Sequence, residues 1–291
     1  MANPVLTRTR ALPARTPAGY PDMPGYQVAG DETPLSPAAQ HATYQPQDAT
    51  PQPFATTPSA ASRPLTLDDV LIKTVITFGV LLVGGVMAWM AVGINPGAAS
   101  ALIIAGSLVA FVLALINSFK RKPSPVLILL YSFTEGLALG AISRIFSVLA
   151  EGVVPKAILA TIVTTIVMLV LFKTKIIRNS PTLMRIVFIG LGSIAAFYLL
   201  NFILTLAVPS WSFYGSNAPK LFGFPIWLIV SLVAIVLAAL SLVTDFDFIV
   251  RAVNNGAPAE TAWTAAFGLM VTLVWLYLEF LRIATYFASS D

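Results

Sequence analysis

The stretch that decides the fold is residues 225–250, which read PIWLIVSLVAIVLAALSLVTDFDFIV. A helix of this length, rising 1.5 Å per residue, covers the roughly 30 Å hydrocarbon core of a bilayer. In water, the many Ile, Val and Phe residues would favour a strand. In lipid, however, an open sheet leaves backbone groups without hydrogen bonds, and the run lacks the alternation of a half-buried strand. The sequence therefore predicts a transmembrane helix here.

Other apolar runs of similar length predict that this helix is one of seven. The predicted helices cover residues 70–94, 98–119, 125–149, 154–173, 184–208, 225–250 and 261–287. Polar or Pro/Gly breaks separate them, for example Asn95-Pro96-Gly97. The first run follows Thr66-Leu67-Asp68-Asp69, a pattern typical of a helix start. The predicted fold class is an all-α integral membrane protein, a bundle of seven transmembrane helices.

Composition excludes several classes of protein. The chain has 291 residues, of which 57% are hydrophobic and 10% charged, against roughly 25% charged in soluble domains. The net charge of +4 is what membrane topology requires of basic loops, so we expect no nucleic-acid partner. There are no cysteines, which excludes disulfides, thiolate metal sites and cysteine nucleophiles.

Residues 1–65 differ in kind from the rest, because they are rich in Pro, Ala, Thr, Gln and Ser and contain no apolar run. We interpret them as a disordered cytoplasmic tail on a transmembrane domain of residues 66–291. A signal peptide is excluded, since no apolar stretch follows the basic residues. An inert soluble extension is favoured, with a proline-rich ligand for a protein partner as the alternative.

The positions of Lys and Arg predict the orientation of the bundle. Most of them fall on one side of the membrane: Arg8, Arg10, Arg15, Arg63, Lys120, Arg121, Lys122, Lys173, Lys175, Arg178, Arg185 and Arg251. The opposite loops hold only Lys156 and Lys220. The positive-inside rule therefore places the N-terminus in the cytoplasm, and seven crossings place the C-terminus outside the cell membrane.

Ionisable side chains within the apolar runs are the candidate functional residues, since inserting each costs about 2.5 to 3.5 kcal/mol. They are Glu135, Arg144, Asp245, Asp247, Glu279 and Arg282. Asp245 and Asp247 point about 200° apart on a helix, so only one faces the interior. Asp245 shares a face with Ser241 and is favoured, whereas Asp247 is expected to reach the headgroups.

The remaining acids differ in their neighbours. Glu279 has Arg282 three positions later on the same face, so a local ion pair is the alternative to an exchangeable cation or proton site. Glu135 lies near the middle of its helix, and Arg144 faces the other side, so Glu135 needs a partner from elsewhere. Lys73 and Arg185 lie near helix ends and are expected to snorkel.

Glycines within the apolar runs affect how the helices pack, and residues missing from those runs exclude several kinds of chemistry. Six glycines are expected to allow close helix approach: Gly84, Gly85, Gly136, Gly140, Gly190 and Gly192. The single histidine, His41, lies in the tail, which excludes a Ser–His intramembrane protease and His-based zinc sites. The seventh run has no lysine for a retinal Schiff base, and no nucleotide-binding motif occurs. We therefore expect neither an enzyme nor a cofactor.

Three stretches together resemble the transmembrane Bax inhibitor motif family: YSFTEGLALGAI at 131–142, TDFD at 244–247 and LYLEFL at 276–281. The resemblance covers about residues 66–287 and looks like a bacterial branch with an added proline-rich tail. It implies a bacterial inner-membrane protein that acts as a pH-sensitive calcium leak channel, in which two aspartates share protons and gate the path. By position these match Asp245, with Asp247 as the alternative, and Glu279, where Glu replaces the family's Asp.

Two arrangements of these acids are open. Two close carboxylates resist ionising together and, once deprotonated, bind calcium transiently through oxygen ligands, here at Asp245 and Glu279. If the chain turns at Gly256, however, Glu279 lies roughly 18 Å beyond the level of Asp245. The alternative is a staggered ladder of Asp245, Glu135 and Glu279 for cations or protons.

The first functional hypothesis is a passive, proton-controlled leak of cations, with calcium favoured. Its expected partners are the bilayer, calcium or other cations, and protons. One alternative is a proton-coupled carrier of a small solute that uses the same acids. The other is a non-transporting membrane protein that regulates partner proteins through its tail.

Overall fold

The computed structural model describes residues 63–120, 122–207 and 218–288, without the side chain of Leu206. The chain divides into two units, Met1–Thr57 and Pro58–Asp291, and every described residue belongs to the second. The predicted disordered tail, with His41, therefore lies outside the described residues except for positions 63–65.

Within the described ranges the chain forms seven α-helices and one short hairpin. In chain order these are α1 (Leu67–Ile94), α2 (Ala98–Phe119), α3 (Pro125–Leu149), α4 (Val153–Lys173), α5 (Pro181–Ala207), β1 (Lys220–Leu221), β2 (Phe224–Pro225), α6 (Ile226–Asn254) and α7 (Thr261–Ala288). All seven helices are long and apolar enough to cross a membrane. The predicted all-α membrane bundle is thus confirmed.

Helix ends differ from the predicted ones by a few residues, for local reasons. α1 begins at Leu67 because Thr66 caps it: the Thr66 side chain accepts from the Asp69 amide, and the Asp69 carboxylate accepts from the Thr66 amide. α6 continues to Asn254, four residues beyond its predicted end. Asp247 and Arg251 form an i,i+4 ion pair of 2.7 Å, which stabilises this polar last stretch as helix.

Glycines bring α1 and α3 into close contact. A Cβ atom added at Gly136 would overlap the carbonyl oxygen of Leu81, and one added at Gly140 would overlap the carbonyl oxygen of Gly85. Gly84 likewise lies against the backbone of α3. The predicted close approach is confirmed for this pair of helices, since only a residue without a side chain fits there.

The two glycines of α5 differ from each other. A Cβ atom at Gly190 would lie 2.6 Å from the Leu237 side chain of α6, so close packing is confirmed there. No atom lies within 4 Å of a Cβ atom built at Gly192, so the predicted packing role of Gly192 is wrong. Gly192 is exposed, because it faces away from α6.

α7 is the central helix, since it contacts α1, α3, α4 and α6. Its buried side chains point to several neighbours: Leu276 packs in the cluster with α6, and Met270 packs in the cluster with α1 and α3. Leu281 packs against the first turns of α4. A buried polar residue on α7 is therefore surrounded by protein, and its partners come from α7 itself and from the neighbouring helices.

The chain just before α1 is tied to the turn between α6 and α7. The Leu65 amide donates to the Ala257 carbonyl at 2.8 Å, and the Ala259 amide donates to the Arg63 carbonyl at 2.9 Å. Lys73 donates to the Ala259 carbonyl at 2.8 Å, so it also contacts this turn. Arg185, the other basic residue expected to snorkel, is exposed near the start of α5. The start of α1 and the α6–α7 turn thus lie at one end of the bundle.

The hairpin before α6 was not anticipated by the apolar pattern. β1 and β2 pair antiparallel, with Leu221 opposite Phe224. The two residues between the strands, Phe222 and Gly223, both have positive φ angles, at 53° and 87°. Positive φ at both central positions is typical of the tightest hairpin turns. This turn directs the chain into α6.

Candidate functional site

Glu279 is the most completely buried acid among the described residues, with 0% exposure. Its Oε1 atom accepts hydrogen bonds from the Tyr198 hydroxyl at 2.8 Å, the Trp275 indole at 3.1 Å and Arg282 at 2.8 Å. Its Oε2 atom accepts from the Ser231 hydroxyl at 2.8 Å. Donors from α5, α6 and α7 thus surround both carboxylate oxygens, and Arg282 supplies the opposite charge.

Sequence spacing anticipated one of these contacts. The Glu279–Arg282 ion pair, which spacing offered as the alternative for Glu279, is present at 2.8 Å. Arg282 also donates to the Tyr198 hydroxyl at 2.8 Å, and its guanidinium lies 5.2 Å from the Tyr198 ring centre. Tyr198 therefore contacts both members of the pair. Sequence reasoning missed Tyr198 and Ser231, although a hydroxyl inside an apolar run is itself a signal of an interior polar contact.

Asp245 faces α7, as its favoured inward orientation predicted. Its Oδ2 atom accepts a hydrogen bond from the Thr272 hydroxyl at 2.8 Å. Its Oδ1 atom lies on the side of Gly268, 3.6 Å from where a Cβ atom of that glycine would be. Because Gly268 has no side chain, this carboxylate oxygen faces the backbone of α7 at that position.

A cavity of about 310 Å³ with a mixed polar and apolar lining includes Gly268 in its wall. Its lining combines Asn117, Ser118 and Lys120 at the end of α2 with Thr264 and Gly268 of α7. The buried side-chain amide of Asn117 has no hydrogen-bond partner among the described residues, so it is available to a polar occupant. The cavity therefore extends from Lys120 at the end of α2 to Gly268, the α7 residue beside the Asp245 carboxylate.

Asp247, which is expected to reach the headgroups, has two partners within the protein. Its Oδ2 atom accepts from Asn179, in the α4–α5 connection, at 2.7 Å and from Arg251 at 2.7 Å. The extra turns of α6 place Arg251 one turn after Asp247, so the carboxylate is neutralised within the protein. Asp247 therefore forms part of a polar contact between the α4–α5 connection and α6, on a different side of α6 from Asp245.

Glu135 is half-buried on α3, and no ion pair among the described residues includes it. The predicted separation from Arg144 is confirmed, because the Arg144 guanidinium lies over the Trp89 ring of α1. On α3, Glu135 falls between Tyr131 and Ser143, which contact Phe267 and Tyr277 of α7. Since Thr272 falls between the same two contacts on α7, Glu135 and the Asp245–Thr272 pair lie at a similar height.

The structure does not bring Asp245 and Glu279 together. Thr272 precedes Glu279 by seven residues on α7, and Ser231 precedes Asp245 by fourteen on α6, which are rises of roughly 10 and 21 Å. Several fully buried apolar residues of the α6–α7 core lie between these levels, among them Ala238, Leu242 and Leu276. We call these three residues the apolar barrier. The acids thus occupy two levels, whereas the ladder predicted three.

No cluster of three His, Asp or Glu side chains suited to a metal ion occurs in the part of the chain that the structure describes. A cation passing Asp245 or Glu279 would therefore meet one carboxylate at a time. Hydroxyl and carbonyl oxygens and water would complete its coordination, as calcium accepts. Such an arrangement suits transient contact better than tight binding.

Comparison with known proteins identifies a family whose model covers nearly the whole chain. A search of curated proteins finds no match. The family model described as "Bax inhibitor 1 like" matches residues 3–289. The match extends through residues 3–65, which the sequence resemblance had treated as an addition to the family. The seven apolar helices agree with this match, and the chain belongs to the Bax inhibitor 1 like family.

Proposed function

We propose that this membrane protein is a pH-sensitive passive leak for cations, with calcium as the favoured cation. The observation that carries the proposal is the position of Asp245: its carboxylate lies beside Gly268, a residue in the wall of a cavity, and the apolar barrier separates it from Glu279. Glu279 lies beyond the barrier. Acidic residues on both sides of a short closed segment are what a gated cation path requires.

The cavity supports the proposal by offering a route to Asp245. Asn117 and Thr264 supply oxygen atoms in its lining, and Gly268 leaves one carboxylate oxygen of Asp245 close by. Oxygen ligands of this kind suit calcium. Lys120 at the cavity keeps a positive charge near the entrance, which favours a slow leak over rapid conduction.

Proton control follows from the same acids. A protonated carboxyl carries no charge and has little attraction for a cation, whereas a carboxylate in a membrane interior attracts one strongly. Beyond the barrier, a cation at Glu279 has to compete with Arg282, 2.8 Å away. Two conditions together decide whether a cation is stabilised along the path. Asp245 must be deprotonated, and Glu279 must contact the cation in place of Arg282.

Calcium flux into liposomes tests the proposal directly. The purified full chain is reconstituted, and flux is followed with an enclosed calcium dye at about pH 6 and about pH 8, on either side of the range in which buried carboxyls titrate. We expect the wild-type flux to differ between the two pH values. Asp245→Asn and Glu279→Gln are each expected to remove that difference.

Two exposed acids supply matched controls. Asp68→Asn and Glu260→Gln make the same chemical changes at exposed positions outside the path, and both should retain the wild-type pH dependence. Flux no greater than that of empty liposomes at either pH, with folded and correctly inserted protein, would overturn the leak. Saturable solute uptake driven by a proton gradient would instead favour the carrier. The expected lack of enzymatic activity stays a prediction.

A further inference from the structure

A groove between α1 and α4 lies apart from the acids. It encloses about 590 Å³, with residues of α3 and α7 forming its floor. It extends from Phe78 to Trp89 along α1 and from Val154 to Ile166 along α4. These lengths correspond to a rise of roughly 17 Å, close to half of a hydrocarbon core of about 30 Å. The groove therefore spans about one leaflet.

The groove suits an apolar occupant. Its hydroxyl groups are already satisfied within the protein: Ser143 and Tyr277 bond to each other at 2.7 Å, and Thr161 and Thr165 bond to carbonyl groups of their own helix. The rest of its lining is almost wholly aliphatic and aromatic. Apart from the indole N–H of Trp89 at one end, the walls offer a polar solute no unmet hydrogen-bonding side chain, whereas a hydrocarbon chain needs none.

A positive charge lies at one end of the groove. The Arg144 guanidinium is centred 5.2 Å from the ring of Trp89, the last groove residue of α1. None of the ion pairs in the described ranges includes Arg144, although it lies within a membrane-spanning helix. Arg144 is five residues from the end of α3, at the depth where long basic side chains meet headgroups. The Arg144 guanidinium is therefore suited to bind an anion.

We propose that the groove is a binding site for one phospholipid molecule, with an acyl chain along α1 and α4 and its phosphate on Arg144. A guanidinium matches a phosphate through paired hydrogen bonds, and a tryptophan beside it suits the membrane interface. Lys156 and Glu151, in the first turn of α4 and the connection before it, are both exposed. The inference is independent of the proposed leak, since no residue of the cation path lines the groove.

Lipid titration of the full chain in detergent, read by native mass spectrometry, tests the headgroup contact. We expect phosphatidylglycerol to bind and Arg144→Gln to weaken it about tenfold, as for the loss of a charge-assisted bidentate contact. Arg144→Lys should retain part of the affinity. Lys156→Gln, which removes an exposed cation from the opposite face of α4, should retain all of it.

Three results would contradict the proposal of a phospholipid site. Diacylglycerol with the same chains could bind as tightly, which would show that the phosphate does not contribute to binding. Glycerol phosphate alone could displace the lipid, which would leave a free-anion site. A dimer that lipid does not dissociate, formed through the groove, would make a second copy the occupant.

A local measurement separates lipid binding from folding. The chain has no cysteine, so a fluorophore can be placed at Ile162→Cys in the groove or at Val163→Cys on the exposed side of α4. At low lipid-to-protein ratios, phosphatidylglycerol with brominated chains should quench the groove label more strongly. Arg144→Gln should reduce quenching at Ile162→Cys and leave Val163→Cys unchanged. Equal quenching at both positions in the wild type would contradict the proposal.

Discussion

Glu279 illustrates what an acid requires inside a helix bundle. Transfer of a carboxylate from water costs several kcal/mol, which only several hydrogen bonds and an opposite charge can offset. Tyr198, Ser231, Trp275 and Arg282 supply these contacts from three helices. The site therefore links α5, α6 and α7, and its integrity is expected to affect stability as well as transport.

Removing one charge of the pair should cost more than removing both. Glu279→Gln leaves Arg282 without its carboxylate, and Arg282→Met leaves Glu279 without its cation, so each should destabilise the protein by about 3 kcal/mol. In the double variant neither charge remains, and the loss should fall clearly short of the sum. Unfolding in detergent micelles measures all three. Glu260→Gln, an exposed change, serves as the control, and strictly additive losses would contradict this account.

At the scale of elements, the α1–α3 contact depends on the absence of side chains. Gly136 and Gly140 face the backbone of α1 so closely that even a methyl group overlaps a carbonyl oxygen. Without a hydrophobic driving force between helices in lipid, such close approach is a principal source of association. α1 also carries Lys73, which contacts the α6–α7 turn, so this contact helps position the helices of the candidate site.

Alanine substitution tests the contact. Gly136→Ala and Gly140→Ala should each lower the unfolding free energy by about 2 kcal/mol, because the helices must separate. Gly192→Ala makes the same change where no atom lies within 4 Å, and it should be neutral or slightly stabilising. Thermal unfolding in one detergent compares the three variants. A loss at Gly192→Ala as large as at Gly136→Ala would show that helix packing is not the cause.

At the scale of the whole molecule, the apolar barrier is what closes the proposed path. Leu276→Ala should raise basal calcium flux severalfold, because it opens space between the levels of Asp245 and Glu279. Met270→Ala is the matched control: Met270 is equally buried on α7 but packs toward α1 and α3. Both changes should destabilise the protein by about 2 to 5 kcal/mol. Equal flux in the two variants would assign the effect to destabilisation.

The orientation of the bundle is a second prediction at this scale. The positive-inside rule places the α2–α3 connection in the cytoplasm and the α3–α4 connection outside. Because the chain has no native cysteine, Lys120→Cys and Lys156→Cys each provide a single reactive thiol. A membrane-impermeant reagent applied to intact cells should label Lys156→Cys at once and Lys120→Cys only after permeabilisation. The reverse pattern would invert the topology.

Much of the architecture could be predicted from local sequence. The seven helices, their bounds to within a few residues and the Glu279–Arg282 pair follow from run length and from three-residue spacing. These features depend on the thickness of a bilayer and the pitch of a helix, which are the same for every chain. The exception was the end of α6, where an ion pair between Asp247 and Arg251 lies in the added turn.

Only the tertiary structure decided which side chains meet. The contacts Tyr198–Glu279, Ser231–Glu279 and Thr272–Asp245 join residues 81, 48 and 27 positions apart. The groove between α1 and α4 likewise needs four helices to exist. By itself, the sequence determined that seven helices cross the membrane and that a few of them carry acids. Helix rotation and register then determined the partners of those acids, because interhelical contacts depend on packing that no single segment encodes.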